Sequence, residues 1–209
     1  MRNILIVVFL YAVPILSSAQ NSNKISSDST SIKDSLRMAK FFSMAAYPVI
    51  KDSKWSGVVP VSDIQEKPDS LMKFKLLMEV TNWSSDSASK KEINSGLAEV
   101  GRLINLHIAA GVPLKNIEAV VVVHAGALNA LLNNEAYREK FNTDNPNLHL
   151  LQQFEKLGVK LITCGQAMVF LNFDRKDIIP YAKTALTAQV VLSNYQLKGF
   201  VLYKITDEK

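Results

Sequence analysis

Cys164 is the only cysteine in a chain of 209 residues, and its surroundings make it a candidate for sulfur chemistry. It closes an apolar run, Val159 to Cys164, that reads as a strand, and it leads through Gly165 and Gln166 into a segment of helical character ending near Leu171. Amide N–H groups at the start of a helix have no partner within it, and they favour a thiolate, the species that attacks sulfur. Gly165 permits a tight turn and the close approach of a ligand. A lone cysteine cannot form an intramolecular disulfide. Three readings remain: a buried small hydrophobe, an intermolecular partner, or a reactive thiol.

His124 is the second candidate. It follows the valine-rich run Ala119 to Val123 and opens the sequence His124-Ala125-Gly126. Ligands of open α/β sheets gather at the carboxyl ends of strands, so His124 and Cys164 share a crevice if their strands are neighbours. An imidazole exchanges protons near neutral pH. His107 lies beside Ile104 and Ile108 on an apolar helix face and reads as a packed core histidine. His149 falls near a helix start and reads as exposed. Three histidines without HxxxH or HxH spacing imply no dedicated metal site. No glycine-rich phosphate loop or dinucleotide fingerprint is present, and no cofactor is expected.

The elements that must position these residues follow from hydrophobic periodicity. Phe74, Leu76, Met78 and Val80 alternate as in a strand. Ile93, Leu97, Val100, Ile104 and Ile108 recur as one face of a helix, which Gly111 and Pro113 end. Ala119 to Val123 is unbroken and apolar, as in a parallel strand buried on both faces. A helical stretch broken near Asn133 follows it. Asn145 and Pro146 read as an N-cap and first-turn proline for a helix carrying Leu150, Leu151, Phe154 and Leu157. Pro180 is expected to open a last helix bearing Ala182, Leu186 and Val190, and Phe200 to Ile205 a final strand. Strands alternating with helices predict a three-layer α/β/α fold with a mostly parallel central sheet.

Composition fixes the organisation around this core. Hydrophobic residues are 48% of the chain, enough for a sizeable interior. Residues 1–19 read as a secretory signal: Arg2 is the positive start, Ile4 to Leu16 is too short for a comfortable span, and cleavage is expected after Ala19. The mature chain is therefore expected to be periplasmic or secreted, with no membrane span. Residues 20–35 read as a solvated linker, 36–72 as an extension packing on the core, and 73–209 as the main domain. The net charge of +5 is spread among acids, as in Lys90-Lys91-Glu92, with no basic and aromatic tract for nucleic acid.

Several ordered motifs resemble one family. Val121-Val122-Val123-His124-Ala125-Gly126-Ala127 is similar to the strand-to-loop element "VVVHGGA" of DsrE/DsrF-like proteins, and Asn145-Pro146-Asn147 to their "NPN" helix opening. Gly158-Val159 with Cys164-Gly165-Gln166-Ala167 is similar to their "GV…CGQ" element. Asn94-Ser95-Gly96-Leu97, Leu103-Ile104-Asn105-Leu106 and Gly111-Val112-Pro113 fit their first helix. The likeness runs from about Lys73 to Tyr203 and is strongest to exported single-domain members. It implies a homo-oligomer, trimeric or hexameric, and a sulfur relay in which Cys164 carries a persulfide. Gly165 and Gln166 would shape its pocket, and Gly126, His124 and Asn145 would border the crevice. A sulfur donor or acceptor protein, or a small thiol, would be the partner, and for an exported chain not the family's cytoplasmic one. Ala125 stands where the family more usually has glycine, which could narrow the pocket. Two other readings use the same crevice: a non-catalytic module binding a small molecule or anion, and a thiol redox sensor.

Overall fold

The computed structural model describes residues 20–83 and 86–206, with backbone alone for 20–31. The expected signal at 1–19 lies outside the described residues. The chain divides into two units, residues 1–43 and 44–209. In the first, Gln20–Met44 begins a helix, α1, where composition reads as a linker over 20–35. From Ile32 to Lys40 its side chains are exposed. Among the described residues, no helix is long and apolar enough to cross a membrane.

The second unit is built on five strands: β1 Phe74–Val80, β2 Ile117–Val123, β3 Lys160–Cys164, β4 Lys183–Ala185 and β5 Val201–Ile205. Their order is β4-β3-β2-β1-β5, and every neighbouring pair is parallel. The sheet is thus wholly parallel rather than mostly so. Strand β2 is central because its side chains are apolar on both sides. Val121 and Val123 enter one core with Leu76, Met78 and Val80; Val120 and Val122 enter a second with Leu77 and Cys164.

The first core is large. Helices α2 Ser95–Ala109 and α4 Leu148–Lys156 cover that face, with α3 Asn134–Phe141 supplying the fully buried Tyr137. Desolvation pushes the Tyr137 phenol up to about 12, so it stays neutral and donates to Lys90 O at 2.9 Å. Asn94 starts α2 by accepting from Leu97 N–H at 3.1 Å, and Gly111 ends it with φ +100°, a left-handed turn that glycine adopts without strain. The second core is small and is covered by one helix, α6 Ala188–Leu197, through Ala188 and Val191. A short helix, α5 Gly165–Phe170, follows β3 directly.

Two local expectations are corrected. Pro180 opens no helix: residues 180–182 turn into β4, and α6 starts at Ala188. The reason is Arg175. Its guanidinium donates to Ile178 O and Ile179 O at 3.1 Å and to Pro180 O and Ala182 O at 2.8 Å. Carbonyls held this way are fixed in a turn, in which Ile179 O also accepts from Ala182 N–H at 3.3 Å, a bond three residues long and not the four of an α-helix. The spacing of Ala182, Leu186 and Val190 marks no stripe, since Ala182 is buried and the other two are exposed. Asn145 is also no N-cap. Helix α4 starts at Leu148 with Asn147 in the capping position.

Asn145 belongs instead to a chain of buried asparagines. Its Nδ2 donates to Ala130 O at 3.0 Å and Leu132 O at 2.6 Å, while its Oδ1 accepts from Asn147 N and Nδ2. Asn147 Oδ1 accepts from Asn94 N–H, and Asn94 Nδ2 donates to Asn82 O. The loops that leave β1 and β2 are thereby tied to the starts of α2 and α4. Asn145→Ala would strand several of these groups at once. An expected loss of about 3 kcal/mol or more in urea unfolding follows from the cost of unpaired buried polar groups.

Candidate functional site

The carboxyl edge of the sheet gathers the chemistry. β2 and β3 are neighbours, with Val123 opposite Thr163, so His124 and Cys164 each stand one residue beyond that last pair. Side chains alternate along strands. Val122 and Cys164 both lie in the small core, which puts His124 on the same face as Cys164. Glu79, two residues after Leu77, shares that face from β1. The three side chains form a row across β1, β2 and β3.

The row has one strong contact. His124 Nε2 lies 2.9 Å from Glu79 Oε1, with the two side chains 16% and 15% exposed. The imidazole is thus committed toward β1. No hydrogen bond joins it to Cys164 among the described residues. Nor do any three His, Cys, Asp or Glu side chains among those residues converge to hold a metal ion.

Cys164 is 5% exposed and packs with Val120, Val122, Ala188, Val191 and Phe200. It occupies the N-cap position of α5, yet its side chain makes no capping hydrogen bond. One of the two amides that such a cap could engage, Gln166 N–H, is given to Leu186 O at 3.1 Å. Here the local expectation and the tertiary structure part: the helix start is present, but the chain between β4 and α6 has taken one of its donors. Gly165 owes its identity to the same segment. A Cβ there would lie 2.9 Å from Ala185 O and 3.4 Å from Leu186 O. The Gln166 side chain is exposed.

Ala125 has φ +51°, in the left-handed region that costs a Cβ-bearing residue about 1–2 kcal/mol. Gly126 follows it, and a Cβ there would meet Trp83 Cβ at 2.8 Å.

A family model described as the DsrE/DsrF-like family matches residues 79–203. The chain belongs to the DsrE/DsrF-like family. Among solved structures it is similar to MTH1491 of Methanobacterium thermoautotrophicum, a protein of unknown function. The identity is 12% and the TM-score 0.47, over 63% of this chain and 99% of that one. No curated protein matches the chain.

In this DsrE/DsrF-like chain the structure brings together Cys164, Gly165, Gln166, His124 and Gly126 at one sheet edge. It does not bring Asn145 to that face, because the Asn145 amide is consumed by Ala130, Leu132 and Asn147. His107 is half-buried, accepted by Leu103 O at 2.7 Å and packed against Phe74 and Tyr203. His149 is exposed. Glu79 is the residue that periodicity passed over. The signal was an acid at the carboxyl end of a strand whose other charge, Lys75, sits at its start.

The strain at Ala125 yields a measurable expectation. Ala125→Gly should raise unfolding stability by about 1 kcal/mol, read as a higher urea midpoint at unchanged slope. A lower midpoint would mean that the Ala125 methyl makes contacts worth more than the strain.

Proposed function

We propose that this DsrE/DsrF-like protein carries sulfane sulfur on Cys164, with His124 exchanging the proton, and that it does so after export. The reading is supported chiefly by one observation: Cys164 and His124 stand side by side on one face at the carboxyl edge of neighbouring parallel strands. Adjacent strands lie about 4.8 Å apart, so an imidazole is within reach of a sulfur that docks over the thiol. The apolar stretch of residues 4–16 behind Arg2 supports export.

The step balances without an external oxidant. Cys164 gives its thiol proton to His124, and the thiolate attacks the outer sulfur of a donor persulfide, R–S–SH. The donor S–S bond breaks, a new S–S bond forms at Cys164, and the departing R–S⁻ takes the proton back from His124. Access requires movement of α6, whose Ala188 and Val191 pack with Cys164 in the small core. A non-catalytic binding module is the second reading. The burial of Cys164 favours it.

Intact-mass spectrometry after exposure to glutathione persulfide separates the two. The carrier reading expects a gain of about 32 Da, one sulfur atom, that Cys164→Ser abolishes. No adduct on folded protein, with ready modification of the unfolded chain, would discard the carrier and leave the module.

The same face supports a homo-oligomer. Among the described residues α6 is the helix that covers it, and Val169, Phe170, Leu186, Val190 and Leu197 are exposed on α5, on α6 and on the turn between β4 and α6, Phe170 at 88%. Large apolar side chains of this kind mark interaction surfaces. Light scattering on the purified chain is expected to report a trimer or hexamer, and Phe170→Glu to lower the assembly without loss of helix content by circular dichroism.

A further inference from the structure

Glu79 is an acid that the sulfur-transfer reading does not use, and its placement gives it a part in that site. β1 turns two charged residues to the α6 face. Lys75 is occupied at one end of the strand, donating to Lys198 O at 3.1 Å. Glu79, at the other end, faces His124 at 2.9 Å with both side chains largely shielded from water. Shielding strengthens a charge-assisted hydrogen bond and holds the ring in one orientation.

The contact also selects a tautomer. An ionised carboxylate only accepts hydrogen bonds, so Nε2 must carry the hydrogen. A neutral imidazole then keeps its lone pair on Nδ1. The backbone is anchored to the same strand: His124 N–H donates to Val80 O at 3.1 Å, which carries the β1–β2 ladder one residue past β2. Ala125 turns left-handed immediately afterwards, so His124 is the last residue that the sheet can hold in place.

We propose that Glu79 is a positioning residue for His124, fixing the Nε2–H tautomer so that Nδ1 is the nitrogen that takes and returns the Cys164 proton. The inference rests on the sulfur-transfer reading for the purpose of Nδ1. The pairing itself is tested independently of sulfur. Lys204 stands opposite Glu79 on β5.

The full mature chain serves for two measurements. Nitrogen-15 NMR of the His124 ring should report the Nε2–H form in the wild type, a mixture of tautomers in Glu79→Ala, and the wild-type form in Glu79→Gln, whose amide oxygen still accepts. An unchanged ring spectrum in Glu79→Ala would overturn the positioning role, whatever Cys164 does. The second is a mutant cycle on the rate of Cys164 loading from glutathione persulfide. His124→Ala is expected to slow loading about a hundredfold and Glu79→Ala about tenfold, with Glu79→Gln close to wild type. In the His124→Ala background, Glu79→Ala should add nothing. Equal slowing in both backgrounds would show that Glu79 acts other than through His124 and would overturn the proposal. If the wild type does not load, the sulfur-transfer reading falls, and the same cycle on the iodoacetamide alkylation rate of Cys164 decides the pairing.

Discussion

A parallel sheet sends every strand out through the same edge, and the backbone of those exits must find hydrogen-bond partners away from the ladder. In this protein buried asparagines meet that demand. Asn82, Asn94, Asn145 and Asn147 link the loops behind β1 and β2 to the starts of α2 and α4. Asn105, fully buried in α2, does the same for residues 49–56 ahead of β1: its Oδ1 accepts from Val49 and Ile50 N–H, and its Nδ2 donates to Ile50 O and Ser56 O. An amide suits this work because it offers both donor and acceptor without a charge to desolvate. The edge that carries Cys164 and His124 is therefore braced from behind by neutral polar contacts.

The two faces of the sheet differ in weight. One holds the large core under α2, α3 and α4. The other holds a small cluster under α6, and it is on this thinner face that Glu79, His124 and Cys164 are aligned. The thick face fixes strand order and register, and register fixes which side chains meet at the edge. A one-residue slip of β2 would send His124 to the opposite face and break its contact with Glu79.

Two features of the edge run against local preference. Ala125 accepts a left-handed backbone immediately after His124, and Cys164 sits at a helix start without using its amides. Both follow from neighbours in space. The β1–β2 ladder extends through His124, leaving the reversal to the next residue, and the Leu186 carbonyl takes one of the amides that a cap could use. Departures from local rules concentrate where structure is held for reasons other than local stability.

The alternating residues from Phe74, the apolar run ending at Val123 and the stripe through Leu97, Val100 and Ile104 determined three core elements, because burial on one or both faces imposes a period that no other residues satisfy. The motif around Cys164-Gly165-Gln166 likewise marked the sheet edge. Three things were decided only by side-chain contacts that no periodicity encodes, the first over three to seven residues and the others over longer spans. Arg175 gathered four carbonyls and turned an expected helix into β4. Asn145 was spent on Ala130 and Leu132, 13 to 15 residues earlier, and not on the helix that follows it. Glu79 met His124 across 45 positions of sequence, a pairing that exists because two strands lie in register and that leaves no trace in the spacing of either residue.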